Sequence, residues 1–495
     1  MNHLRLDKLK VLWNEHPNLR RILLAVILWG ITALLLFPRL GYPRAIVFDE
    51  TYMIPRAQRY MQGIFFQESH PPLGRLAIAL GQILVHPDER PSQFALVEKI
   101  HESWPQDQDM TGYRLIPAIF GTLIPVIVFF ILLKVLTVEL YSFIISLFVA
   151  FDNALLTQAH FALSDSILIG FSLLSILAFV YLYLQDAPPT RSAWIQWTLW
   201  GFVSACALLV KFSTWFILVL VPLYMLKLVL AGQKRQVFLF SAIFGVTFLF
   251  VTVAVWQLHF SLVPKLDPNN TYEIPADHLD ILEGKSHPNP VVTFYIELRD
   301  ALVFMAHYHE GVPKLDLTKP GEIGSPWFWW PLGGRAMDYR WETPDGKTYR
   351  YIYLIGNPAT WLISLLGVLA GTGLTLSDLL FRFLPAERRK WPYIFTLLYW
   401  AYMIPPMFVQ RVLYLYHYLP PLIIGVMLFG VVLAEATRLS SSAKRGILSV
   451  SLIAALIGFW VFKPFTFYEP LTNEQVQQRA VWPAWDLKCA TCSDK

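Results

Sequence analysis

The chain has 495 residues, 55% of them hydrophobic and only 15% charged, with a mean hydropathy of +0.47. That balance excludes an ordinary soluble protein and places the chain in the membrane class. Its formal charge of +5 is small for the length and is carried mainly by short segments between apolar runs, which argues against a nucleic-acid surface and makes those segments reporters of topology.

Arg5, Lys8, Lys10, Arg20 and Arg21 precede the first apolar run, at 22–38. Phe37-Pro38-Arg39-Leu40 does not resemble the small-residue site at which a signal peptide is cut, so this run is expected to remain as a helix. Crossing the hydrocarbon core takes roughly 20 helical residues. Further runs of suitable length fall at 113–133, 138–155, 163–184, 194–210, 213–231, 236–258, 357–380, 392–410, 412–435 and 446–462. The expected fold is an all-α polytopic membrane protein with about eleven transmembrane helices.

Lys and Arg favour the cytoplasmic side of such proteins. The N-terminal tail 1–21, the Lys234-Arg235 turn, the Arg382 to Lys390 loop and the Arg438 to Arg445 turn carry clustered bases, and the helix count puts all four on one side. Two long segments, 39–112 and 259–356, and the tail 463–495 then lie outside, joined by a transmembrane domain over 22–462. Both loops are too long and too aromatic to be mere connections, and their Trp, Tyr and Phe residues suit headgroup level or a groove for an amphiphile. Anchoring in the interface is the plainer reading for about half of them. Of three cysteines, Cys206 lies in an apolar run, while Cys489 and Cys492 form a lone CxxC that would suit a disulfide, a redox pair or half a metal site. A tail outside the cytoplasm favours the disulfide.

The chemistry-bearing stretch is Phe48-Asp49-Glu50-Thr51-Tyr52, followed by Glu68-Ser69-His70-Pro71-Pro72-Leu73-Gly74-Arg75. Acids so near a bilayer require a counter-charge or a task, although a bare Asp-Glu pair in a solvated turn needs neither. Similar polar islands recur at Arg114-Leu115-Ile116-Pro117-Ala118, Asp152 to Gln158, Leu163-Ser164-Asp165-Ser166, Lys211-Phe212-Ser213-Thr214, Gly356-Asn357-Pro358 and Tyr416-His417-Tyr418-Leu419-Pro420. In order and spacing these resemble the protein O-mannosyltransferase family of GT-C glycosyltransferases, whose first external loop carries FDE and then HPPLGK. The loop 259–356 is too short for the MIR domain of eukaryotic members, so the resemblance is to a prokaryotic, MIR-less type. Two departures stand out: Arg75 replaces the family's Lys, and Ser325-Pro326-Trp327-Phe328-Trp329-Trp330-Pro331-Leu332 matches the family's aromatic motif only approximately.

The resemblance implies inverting transfer of a sugar, mannose foremost, from a polyprenyl-phosphate carrier to Ser/Thr hydroxyls of exported proteins, at the outer face of a prokaryotic plasma membrane. The physical demands agree. A hydroxyl acceptor needs a carboxylate within hydrogen-bond reach, for which Asp49 is the candidate, with Glu50 orienting it or holding an arginine. The departing phosphate needs cations, for which Arg75, Arg114 and Arg411 are candidates, snorkelling being the plainer reading of the last two. Asp165 is expected to hold a sugar hydroxyl or a base, or simply to cap its helix. His70 and His417 join the donor side through their motifs, and His309 and Trp327 the acceptor side. No cofactor is required with confidence beyond the lipid-linked sugar, no metal ligand set is assigned, and a divalent ion stays open. Asp107-Gln108-Asp109 and His307-Tyr308-His309-Glu310 are weak metal candidates, and Asn269-Asn270-Thr271 fits a glycosylation sequon only formally. Two competing readings are a GT-C enzyme acting on a glycolipid, like the aminoarabinose transferases, and a transporter, which the absence of a visible repeat disfavours.

Overall fold

The structure, a computed structural model, describes residues 15–86, 109–185, 191–267 and 273–489. The Asp107-Gln108 and Asn269-Asn270-Thr271 positions, and Cys492, lie outside the described residues. Nine helices among the described residues are long and apolar enough to cross a membrane. They include α1 (Pro17–Leu36), α4 (Thr111–Leu136), α7 (Asp165–Tyr183), α8 (Arg191–Val210), α10 (Lys234–Leu262), α13 (Pro358–Phe381) and α16 (Ser441–Thr466); another joins a 3-10 helix, Phe212–Val219, to α9 (Leu220–Leu230). Between these lie two short helices of the first loop, α2 (Glu50–Gln62) and α3 (Leu73–Val85).

The expected runs at 138–155 and 392–410 differ in detail from what is observed. The first is a pair, α5 (Glu139–Ala150) and α6 (Asn153–His160), bent by 61°. Asp152 makes the break: its Oδ1 accepts the Leu155 N–H at 3.0 Å as an N-cap, and its Oδ2 accepts from the Asn357 N–H and the Trp361 indole, both at 3.0 Å. A carboxylate that caps a new helix cannot also let the old one run through it. The second run is α14 (Ala386–Met403), which starts in the charged turn Glu387 to Lys390 and stops before Pro405-Pro406, where the missing N–H groups end the ladder. Residues 404–418 then form an excursion of two 3-10 turns before α15 (Leu419–Glu435), so Arg411 sits in an irregular segment and not at a helix end.

Contacts among the helices and loops separate two ends. At one end Arg20 and Arg21 pair with Glu139, Arg388 pairs with Glu435, Arg389 pairs with Asp378 at 2.6 Å, and Lys227 donates to the Tyr183 carbonyl at 2.6 Å. The loops 39–86 and 273–356, the 404–418 excursion and the tail gather at the other end. The second loop contributes α11 (Ala276–Leu282), α12 (Pro290–Gly311) and a hairpin of β1 (Met337–Glu342) and β2 (Tyr349–Leu354). Asp345 closes the hairpin by accepting from the Lys347 and Thr348 N–H groups, with Gly346 supplying φ +67°. β3 (Pro470–Leu471) from the tail pairs antiparallel with β2, ahead of a last short helix, α17 (Asn473–Arg479). The tail and the second loop thus build one small layer. β2 is buried on both faces, Tyr351 and Tyr353 against Phe465 of α16 and Ile352 and Leu354 in the main core, so it reads as a continuous apolar strand. Cys489 is disulfide-bonded and Cys206 is a free buried thiol.

Candidate active site

Asp49 and Glu50 are adjacent in sequence and opposite in circumstance. Glu50 opens α2 and is fully buried. Its Oε1 accepts from Arg114 Nε at 2.7 Å and from the Ala162 N–H at 2.8 Å. Its Oε2 accepts from Arg114 Nη2 at 2.8 Å and from the Val47 N–H at 2.9 Å. Arg114, also with no exposed surface, spends its remaining N–H groups on the carbonyls of Leu40, Pro43 and Ala45 at 3.0–3.2 Å and lies 4.9 Å from the Phe161 ring centre. Two parallel charge-assisted bonds make this a strong, geometrically specific pair. The expectation that Arg114 grips a donor phosphate is therefore corrected: every nitrogen already donates within the protein, and no surface remains for a ligand. What the pair does is tie loop 40–47 and the turn before α7 to the start of α2.

Asp49 is the free member. It occupies the N-cap position of α2 without capping it, keeps part of its surface open, and its carboxylate makes no hydrogen bond or ion pair among the described residues. Phe48 before it is held at φ +48°, a strained conformation for an aromatic residue. The surroundings impose that conformation: the Phe48 ring stacks flat on Tyr339, centroids 4.1 Å apart, and meets Tyr416 edge-on at 6.1 Å. Burial among protein groups pushes the Asp49 carboxyl up to about 7; Lys211 and Arg75 pull it back, while Asp165 and Glu68 add to the rise. A carboxylate poised there suits a general base near neutral pH.

A polar chain surrounds Asp49. The Tyr339 hydroxyl donates to Gln158 Oε1 at 2.8 Å, and Gln158 Nε2 donates to Asp165 Oδ2 at 2.8 Å. The other Asp165 oxygen lies 3.9 Å from Lys211 Nζ, which sits 5.0 Å from the Tyr416 ring centre. Asp165 thus lies near a base, at the first turn of α7. His417 stacks between Tyr416 at 4.5 Å and Trp330 at 5.9 Å. Trp330 in turn donates to the Ser325 carbonyl at 2.9 Å, and the Ser325 N–H donates to Leu413 at 2.8 Å. The approximate aromatic motif therefore braces the excursion that carries Arg411 and His417, with Trp330 in the bracing position and Trp327 half-buried beside Phe328.

The HPPLGR stretch closes the other side. A Cβ at Gly74 would stand 3.0 Å from Ser164 Cβ, tighter than ordinary contact, so glycine favours the close packing of α3 on the turn before α7. Arg75 is 2% exposed; its Nη2 meets Glu68 Oε1 at 2.9 Å, while Nε and Nη1 have no partner. His70 lies 6.1 Å from His309, ring to ring, which brings the donor motif to the end of α12. Burial, then Lys211, Arg75, His309 and Arg411, hold His70 well below the usual histidine range, so its imidazole is neutral. Behind them Gln67 and His278 both bond Asp300 Oδ2, at 2.8 and 2.6 Å, joining the first loop to α11 and α12.

The structure therefore brings together Asp49, His70, Arg75, Asp165, His309, Arg411 and His417, and sets Glu50 and Arg114 apart as a buried clamp. Sequence reasoning assigned no role to Lys211, Gln158 or Tyr339. Lys211 and Gln158 stand inside stretches already singled out, and a buried lysine beside two acids was the available signal; Tyr339 carried none. Among the described residues no group of three or more His, Cys, Asp or Glu is arranged to hold a metal ion. His307 and His309 lie two apart on a helix, where side chains diverge.

Comparison with known proteins agrees along most of the chain. The family described as "Dolichyl-phosphate-mannose-protein mannosyltransferase" matches residues 26–263, and the "C-terminal four TMM region of protein-O-mannosyltransferase" matches residues 303–485. Protein O-mannosyl-transferase 1 of Homo sapiens is 33% identical over 186 residues, 37% of this chain and 24% of that protein. Protein O-mannosyl-transferase 2 of Danio rerio is 25% identical over 337 residues, 64% of this chain and 42% of that protein. The chain thus spans less than half the length of these curated relatives. The S. cerevisiae protein O-mannosyltransferase Pmt1-Pmt2 complex bound to the sugar donor shares the fold, with a TM-score of 0.79 at 14% identity over 94% of this chain and 93% of that one. Two family regions in order, and the FDE and HPPLGR stretches at one site, lead to one conclusion: the chain belongs to the protein O-mannosyltransferase family.

Proposed function

We propose that the protein is an inverting glycosyltransferase that moves mannose from a polyprenyl-phosphate carrier to Ser/Thr hydroxyls of exported proteins. The observation that carries this reading is the division of labour between neighbours: Glu50 is consumed by Arg114, whereas Asp49 is unbonded and faces Lys211 and Arg75. A polyprenyl phosphate needs no strong acid to leave; it needs positive charge where its oxygens become more negative. Lys211, Arg411 and Arg75 supply that charge, Arg75 with two buried N–H groups still to satisfy. Asp165 holds Lys211 in place, and His70 and His417 offer hydrogen bonds to the sugar or phosphate. Asp49 accepts the acceptor proton as the hydroxyl attacks C1 from the face opposite the phosphate. One displacement with one base inverts that centre and requires no covalent intermediate. His309 and Trp327, with exposed Tyr52, Tyr308 and Phe328 nearby, form the acceptor side.

The basic ends of the helices face the cytoplasm in this reading, and the site opens on the other face of a prokaryotic plasma membrane. The test is direct: purified protein, polyprenyl-phosphate mannose and a Ser/Thr peptide are combined, and the peptide is analysed by mass spectrometry. Mannose on the peptide is expected, with an anomeric configuration, read by NMR, opposite to that in the donor. Sugar appearing only on added glycolipid would replace the acceptor assignment.

A further inference from the structure

The donor and acceptor halves of the site come from distant parts of the chain, and one buried carboxylate joins them. Asp300 is 4% exposed in the middle of α12, and its Oδ2 accepts twice: from Gln67 Nε2 of the first loop at 2.8 Å and from His278 Nδ1 of α11 at 2.6 Å. Gln67 and His278 are buried as well, so both bonds lie away from water, where breaking one leaves a polar group unsatisfied. Two arms run from this point to the site. Along the first loop, Gln67 is followed by Glu68, which holds Arg75, and then by His70. Along α12, His309 stands nine residues beyond Asp300, about 14 Å further at the rise of a helix. The arms meet again where the His70 and His309 rings lie 6.1 Å apart.

The two arms are not held equally. The first-loop arm has anchors besides Gln67, because Gly74 packs closely on Ser164 and Arg75 meets Glu68 at 2.9 Å. α12 has fewer: of its 22 residues only Ile296, Asp300 and Met305 are buried, while Val291, Tyr295, Leu302 and Tyr308 are exposed. The exposed Arg299–Asp277 pair ties the helix only to α11. Apolar contact at Ile296 and Met305 is non-directional and does not fix how far the helix slides or turns; the bonds at Asp300 do. We propose that Asp300 is a positioning residue. Through Gln67 and His278 it fixes where α12 sets His309 and Tyr308 against the donor side, and so where an acceptor hydroxyl stands relative to the sugar's C1. This inference rests on the transfer reaction proposed above.

The test uses the full chain in detergent, as wild type, Asp300→Ala, Asp300→Asn and Gln67→Met, with transfer to a Ser/Thr peptide, binding of polyprenyl-phosphate mannose by native mass spectrometry, and thermal unfolding as readouts. Asp300→Ala removes both bonds and should lower kcat/KM for the peptide by about 10²-fold, the cost of a misplacement of about 1 Å, while carrier binding holds. Asp300→Asn keeps an oxygen that accepts from both partners and should recover most of that loss. Gln67→Met removes the first-loop bond alone and leaves Asp300 paired with His278; it should lower the peptide kcat/KM in the same direction, and it decides the matter if Asp300→Ala does not fold. An unchanged peptide kcat/KM in folded Asp300→Ala, or in Gln67→Met, would overturn the inference. So would a parallel loss of carrier binding, the mark of a general structural role. A wild-type protein that binds the carrier and modifies no peptide would instead overturn the acceptor assignment, and this inference with it.

Discussion

Arg114 and Glu50 meet at two points, Nε to Oε1 at 2.7 Å and Nη2 to Oε2 at 2.8 Å, with neither side chain touching solvent. Breaking one half of such a pair leaves a buried charge uncompensated, which costs about 3–5 kcal/mol. Arg114→Ala and Glu50→Ala are therefore expected to lower folded yield and the unfolding temperature, and Arg114→Lys to recover only part, because a point charge cannot make both bonds. Thermal unfolding in detergent checks this. An Arg114→Ala protein with native stability and raised donor KM would return the residue to the phosphate.

Tyr339 acts on Asp49 through two contacts that one substitution can separate. Tyr339→Phe keeps the stack on Phe48 and removes the bond to Gln158, so a loss of about 0.5–1.5 kcal/mol in stability is expected. Tyr339→Ala also removes the ring that holds Phe48 at positive φ, and should lower kcat far more than the Phe variant does. Equal kcat in the two variants, at matched folded protein, would contradict a positioning role for the ring.

The pH profile carries the Asp49 environment directly. A base must be deprotonated, so activity is expected to rise as pH increases through about 7, the value to which burial pushes this carboxyl. Removing the nearest cation with Lys211→Met should move that acid limb to higher pH, besides weakening donor turnover. Stability runs the other way: the proton is held more tightly in the folded state, so Asp49's contribution is present below its unfolded value near 4 and is lost as pH rises through about 7. Asp49→Asn should flatten that decline. An acid limb unmoved by Lys211→Met would separate it from Asp49.

Topology is open to labelling with an impermeant thiol reagent in intact cells. Cysteines placed at exposed Asp280 and exposed Ser440 should behave oppositely, Asp280→Cys reacting from outside and Ser440→Cys only after the membrane is opened. The reverse pattern would invert the assignment of the faces.

Hydropathy marked where most spans lie, because length and apolarity are what a bilayer demands; against about eleven expected, nine helices among the described residues are long and apolar enough, or ten with the bent pair, and α14, with its charged first turn, is not one of them. The breaks at Asp152 and Pro405 were less visible, since a single capping carboxylate or a Pro pair changes the mean hydropathy of a window very little. At the site, motif spacing brought out Asp49, Arg75, Asp165 and His417. It separated Asp49 as the base from Glu50 as its support, but could not see that Glu50's partner is Arg114 or that Arg114 faces inward, because both depend on which carbonyls and N–H groups loop 40–47 presents after folding. Tyr339 reaches Gln158 across 181 positions in a bulged strand of an otherwise helical protein, and no local pattern encodes such a contact.

The central claim is that Asp49, and not Glu50, takes the acceptor proton, and one comparison reaches it most directly. Transfer of mannose to a Ser/Thr peptide is measured for wild type and Asp49→Asn at equal amounts of folded protein, alongside binding of the mannosyl carrier. Loss of a general base typically costs about 10²–10⁴ in rate, so turnover by Asp49→Asn should fall in that range while carrier binding and unfolding temperature hold. Retention of more than half of wild-type turnover would contradict the account and remove Asp49 from the mechanism.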